Sequence, residues 1–122
     1  MKVYILLFLL LNIACSPLLV GMGVGAVAGY CATGDTVKGE LETDFETLYY
    51  AAKSTLEKYG DIEVEDFQSG RLIGSVGLSK IKIYIDTLSS GVQRLRVKCR
   101  KGILPNLTLA NKIFVEIVKK AR

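Results

Sequence analysis

The sequence predicts an α+β two-layer sandwich over residues 36–122: a five-stranded antiparallel sheet with two helices on one face. Three observations lead there. Residues 80–87 (KIKIYIDT) and 92–100 (VQRLRVKCR) alternate apolar and polar side chains, the period of a half-buried strand. Residues 45–59 and 109–121 repeat apolar side chains at spacings of three, four and seven, the period of one helix face. Two amphipathic helices need an apolar surface to cover, and an antiparallel sheet with one wet face supplies it.

The elements follow in order. Thr36 to Glu42 (TVKGELE) alternates, with Val37, Gly39 and Leu41 on one side. Thr43-Asp44-Phe45-Glu46 reads as a capping box with Thr43 at the N-cap and Glu46 reaching back. Phe45, Leu48, Tyr49, Ala52, Leu56 and Tyr59 form the buried stripe of the first helix, and Gly60 is expected to close it as a left-handed cap. Asp61 to Gln68 is a second strand. Phe67 falls out of step with Ile62 and Val64, which predicts a bulge near Glu65-Asp66. Arg71 to Val76 is a third strand, weakened by Gly74. The fourth and fifth strands are the alternating pair at 80–87 and 92–100. Parity fixes their connection. A two-residue loop at Ser90-Gly91 would set Ile81 opposite Arg100, core against charge, so a three-residue loop with Gly91 at positive φ is expected. Asn106 then caps a last helix whose stripe is Leu109, Ala110, Ile113, Phe114, Ile117 and Ala121. The expected order is β-α-β-β-β-β-α.

A chain of 122 residues, half of them apolar and 23% charged, has the length and composition of one globular domain. It contains no histidine, which removes Ser-His-Asp and Cys-His catalysis, histidine metal ligands and a histidine pH switch. Mean hydropathy is +0.34, with the excess in the first 34 residues. Met1-Lys2 is a positive start, and Val3 to Leu11 is an uncharged run too short to span a bilayer, which needs ~20 residues. This is the pattern of an export signal.

The run ends in Ile13-Ala14-Cys15, which resembles the lipobox of bacterial lipoproteins. Asn12 departs from it, standing where an aliphatic residue is usual. That resemblance implies a diacylglyceryl group on the Cys15 thiol, cleavage before Cys15 and acylation of the new amino terminus, palmitate being a typical chain. The expected division is a signal peptide at 1–14, a lipidated and Gly/Ala-rich membrane-proximal segment at 15–35, and the α+β domain at 36–122. The segment GMGVGAVAGYCATG (21–34) reads as a tether, or as a helix packing through Gly21, Gly25 and Gly29. Its G-x-G-x-x-A stretch at 23–28 has meaning only inside a parallel βαβ unit, and nothing downstream looks like one.

With a three-residue loop, the outer face of the last two strands pairs Lys80 with Arg100, Lys82 with Lys98, Tyr84 with Arg96 and Asp86 with Arg94. Lys80, Lys82, Arg94, Arg96, Lys98 and Arg100 thus form a basic stripe, extended by Lys101. Its reading is a solvated face or a contact with an anionic surface: lipid head groups or cell-wall polymer. Loss of Lys2 with the signal leaves 15 basic and 12 acidic residues, a modest excess. Together with export, this argues against nucleic acid as a partner; no protein partner is implied. Cys99 reads as a core residue, with pairing to Cys31 left open. Glu63, Glu65 and Asp66 cluster but suggest an acidic strand face rather than acid–base chemistry. No catalytic residue, metal site or cofactor is predicted.

Cys15, the stretch GMGVGAVAGY (21–30) and Gly39-Glu40-Leu41-Glu42, in that order, resemble a family of small bacterial lipoproteins that is a domain of unknown function. The resemblance implies a cell-envelope lipoprotein and transfers no enzyme activity or binding site. Ser16 after the acylated Cys implies sorting to the outer membrane, facing the periplasm. The expectation is a non-enzymatic lipid-anchored binding or structural module. The alternatives are an uncleaved membrane helix that oligomerises through its glycines and, behind it, an envelope enzyme using carboxylates.

Overall fold

The computed structural model describes residues 27–121. Its elements are β1 (Val27–Thr33), β2 (Thr36–Glu42), α1 (Phe45–Tyr59), β3 (Asp61–Asp66), β4 (Arg71–Val76), β5 (Ser79–Ser89), β6 (Val92–Lys101), β7 (Leu104–Pro105) and α2 (Leu107–Ala121). Strands run in the order β1-β2-β6-β5-β4-β3, every neighbouring pair antiparallel. The short β7 pairs with β6 beyond the point where β2 begins. The fold is therefore α+β with two helices, as expected, but the sheet has seven strands instead of five. The added strands are β7 and, more consequentially, β1, which lies in the glycine-rich stretch expected to be a tether. Gly29 sits in that strand at φ +60°, so it is not part of a helix face. Gly21 and Gly25, like Cys15, lie outside the described residues.

One face of the sheet carries the core. Val37, Leu72, Ile81, Ile83, Leu95, Val97 and Cys99 are fully buried there beneath Leu48, Ala52 and Leu56 of α1 and Ile113, Phe114 and Ile117 of α2. α2 lies over β6 and β2, and α1 over β3 to β5. The helix stripes match the sequence periodicity, with Ala51, Thr55 and Val118 buried in addition. Tyr30 of β1 closes the α2 side: its hydroxyl donates to Asn111 Oδ1 at 2.6 Å and its ring packs against Phe114. Asn106 caps α2, its Oδ1 accepting from the Leu109 amide at 3.3 Å.

Four local expectations are corrected. The N-cap of α1 is Asp44, not Thr43. Its Oδ2 accepts from the Thr47 amide at 3.1 Å and its Oδ1 from the Thr47 hydroxyl at 2.6 Å, so the cap pairs with Thr47 and not with Glu46. Gly60 is extended (φ −172°), not left-handed. Glycine is needed there because a Cβ would lie 2.0 Å from the Ser75 carbonyl oxygen, where the end of α1 crosses close to β4. The β3 bulge falls between Ile62 and Val64, at Glu63, rather than at Glu65-Asp66. Phe67 is out of step because it stands beyond the strand and packs edge-on against Tyr49 and Phe45. The β5–β6 turn is the two-residue Ser90-Gly91, with Gly91 at φ +79°. The predicted register nevertheless holds, Ile81 opposite Cys99 and Ile83 opposite Val97, because a bulge at Leu88 supplies the missing residue.

Gly60→Ala is expected to destabilise the fold by about 2–3 kcal/mol, since the new methyl meets backbone that cannot swing away. Gly91→Ala has open space around it and is expected to cost only about 1 kcal/mol, from its positive φ. Urea midpoints at unchanged m-value check the ranking.

Candidate functional site

The outer face of the sheet follows from alternation. With Ile81, Ile83, Leu95, Val97 and Cys99 inward, Lys80, Lys82, Arg94, Arg96, Lys98 and Arg100 must point the other way. All six anticipated cations lie on that one face. Lys80 stands opposite Arg100 and Lys82 opposite Lys98, the two like-charge pairs expected from the sequence. β2 lies on the other side of β6, bringing Lys38 opposite Arg96 and Glu40 opposite Arg94.

The stripe divides in two. Around its middle, charges are answered within the sheet. The Arg96 guanidinium lies 4.9 Å from the centre of the Tyr84 ring, the predicted cation–π contact. Asp86 does not pair with Arg94, the residue facing it. Its Oδ2 accepts from Arg96 at 2.9 Å along the diagonal, and Arg94 reaches Glu40 at 3.4 Å instead. A third acceptor on β2 was absent from the two-strand reasoning, and its presence redistributes the partners. Each such exposed pair contributes at most about 1 kcal/mol and weakens with salt.

At the other end, Lys80, Lys82, Lys98 and Arg100 line an open cleft of about 300 Å³ with Gly102 at its rim. Four cations held this close repel one another unless an anion intervenes. Asp35, in the β1–β2 turn, provides part of the answer. It lies against Arg100 and 3.9 Å from Lys98, and also accepts from the Thr36 hydroxyl at 2.9 Å. The Arg100 hydrogen bond holds the Asp35 carboxyl below the ordinary aspartate range, with help from Thr36 and the nearby charges. Glu63, pushed out by the β3 bulge, comes within 3.8 Å of Lys80. Lys82 makes no ion pair among the described residues, and Lys101 continues the basic run at the strand end.

The same end of the sheet carries three tight turns, each with a glycine at positive φ: Gly34, Gly77 and Gly102. Ser79 pairs with Lys101, so the β4–β5 and β6–β7 turns lie side by side. Their tips present Leu78 (82% exposed), Ile103 (88%) and Leu104 (65%) to solvent. Sequence reasoning missed Asp35, the approach of Glu63 to Lys80 and this aliphatic rim. The available signal was Gly34-Asp35 and Gly77-Leu78 as hairpin tips; the first requires β1 to be recognised as a strand, whereas Gly77-Leu78-Ser79 is already legible as a turn between two expected strands.

The acidic cluster does not converge. Glu65 pairs with Lys53 at 3.2 Å, Glu63 approaches Lys80, and Asp66 accepts from the Ser69 amide at 3.3 Å, which with the Ser69 hydroxyl lowers its pKa. Three carboxylates engaged by three separate partners form no acid–base pair. Among the described residues no group of His, Cys, Asp and Glu could hold a metal ion, and no helix is long and apolar enough to cross a membrane. Cys99 is a buried free thiol whose pKa is raised by burial, so it does not tie β1 to the sheet through Cys31.

The chain matches no protein-family model and no curated protein sequence. Among solved structures it is similar to the di-domain ARO/CYC StfQ from the steffimycin biosynthetic pathway, at 10% identity and a TM-score of 0.48. The match covers 70% of this chain and 42% of that one, so the chain spans less than half the length of this neighbour.

Asp35→Asn is expected to lower the melting temperature at pH 7, because two cations lose their shared carboxylate. The folded-state pKa of Asp35 is depressed, so its contribution is present above the ordinary aspartate value near ~3.9 and disappears as pH falls through the lower folded value. The gap between wild type and Asp35→Asn should therefore close on acidification, as followed by thermal melts from neutral pH downward.

Proposed function

We propose that this chain is a non-enzymatic bacterial envelope lipoprotein, acylated at Cys15, whose α+β body makes contact with anionic groups at the membrane surface. The observation that carries the contact is the cleft of Lys80, Lys82, Lys98 and Arg100, where four cations share the partial neutralisation of Asp35 and Glu63. A phosphate or carboxylate entering there relieves the repulsion that the protein's own carboxylates leave unanswered. The anchor is supported by the sequence: a positive start, a short apolar run and Ile13-Ala14-Cys15. The resemblance to small lipoproteins through Gly39-Glu40-Leu41-Glu42 points the same way, and Ser16 favours the outer membrane. Two or more acyl chains hold such a protein firmly, each buried methylene contributing ~0.8 kcal/mol.

Cys15→Ala is expected to abolish incorporation of labelled palmitate and to leave an uncleaved chain. Intact mass of the wild type should show a mature protein starting at Cys15 with bound fatty acid. Diacylglyceryl transfer consumes the Cys15 thiol. An unmodified Met1 start, or a Cys15 sulfur found in a disulfide, would overturn the anchor.

A further inference from the structure

Taking the anionic surface of the proposed function as given, we infer that the glycine-turn end of the sheet docks edge-on against an anionic phospholipid bilayer, with Leu78, Ile103 and Leu104 entering the interface. Three features coincide at this end and, among the described residues, at no other turn of the sheet. The side chains at the tips are aliphatic, and their exposures of 82%, 88% and 65% are far above those of the core. They sit on adjacent hairpin turns closed by Gly77 and Gly102, whose positive φ keeps the tips tight and projecting. Immediately behind them stand Lys80, Lys82, Lys98, Arg100 and Lys101, with Asp35 and Glu63 paired to them and Asp61 two strands away at the level of Lys80.

That order, aliphatic tip first and cations one layer back, matches the order of a membrane surface approached from water. Acyl chains lie deepest and phosphates lie above them. Cations at the level of the head groups attract an anionic leaflet, and the tips gain by leaving water. A protein partner would be expected to demand a flatter or larger apolar patch than three tip residues provide. The opposite end of the molecule reinforces the orientation. There β2 ends and α1 begins, carrying Glu42, Asp44 and Glu46, which an anionic surface repels.

The chain contains no tryptophan, so a single introduced indole reports its own depth. Full-length protein carrying Ile103→Trp would be mixed with vesicles of phosphatidylglycerol and phosphatidylcholine, with some acyl chains brominated. A blue shift and quenching of the indole are expected. Ser90→Trp, at the opposite turn, should show neither. On phosphatidylcholine alone the amino-terminal anchor still holds the chain, yet the Ile103→Trp indole should stay in water. Inorganic phosphate in solution should leave its emission unchanged. Adding Lys82→Gln and Lys101→Gln should weaken the response about fivefold per cation removed. Docking is overturned if the Ile103→Trp indole remains in water on the anionic vesicles, if neutral vesicles quench it equally, or if Ser90→Trp is quenched as strongly. An acylated Cys15 with an unquenched Ile103→Trp indole would leave the anchor standing and remove the docking alone.

Discussion

The structure depends on the pairing of β5 with β6. Three isoleucines on one strand face Cys99, Val97 and Leu95 on the other, all buried, and the register that brings them together also fixes where every charge on the outer face must stand. A slip of one residue would turn the isoleucines to water and the lysines into the core, a change that no surface ion pair offsets. The bulge at Leu88 is a consequence of this constraint. The tight Ser90-Gly91 turn has the wrong parity for the pairing, and inserting one residue into one strand restores it. The core register wins over the regularity of the hairpin.

Charge on the outer face is subordinate to that choice. Lys80 against Arg100 and Lys82 against Lys98 are unfavourable as pairs, and they persist because the inward residues beneath them are not free to move. The molecule moderates the repulsion from outside the hairpin, with Asp35 from the β1–β2 turn and Glu63 from the β3 bulge. Both acidic residues reach the site because the backbone departs there from regular strand geometry. A bulge and a turn, features that add little to the core, thus set the electrostatics of the surface.

Much of this was legible in the sequence, and the reasons differ by element. The β5–β6 register was readable because strict alternation leaves only one parity that buries apolar against apolar. Both helix stripes were readable because their apolar spacing has no strand counterpart. β1 was not, because Gly29, Ala28 and Ala32 carry no apolar alternation and the stretch is composed like a linker; what holds it is pairing to β2 together with Tyr30 reaching Asn111 and Phe114 across the molecule. Gly60 was placed correctly and explained wrongly: its lack of a side chain serves a close crossing of α1 over β4, and no pattern local to residues 56–60 encodes what lies at Ser75. The cations of the candidate site were found one by one. Their division into a neutralised middle and an open end depends on Glu40, which β2 sets opposite Arg94, and on Asp35, which stands just before the same strand where it meets β6.

The direction of β1 carries one more implication. It runs from Val27, beside Leu41, up to the Gly34 turn, so the chain comes into the sheet at the pole away from Leu78 and Ile103. β1 is about 23 Å long, which sets that entry point a full strand length from the Gly34 turn. Joining point and aliphatic tips thus occupy opposite poles, and a flat surface that touches one of them can touch the other only after the body turns over.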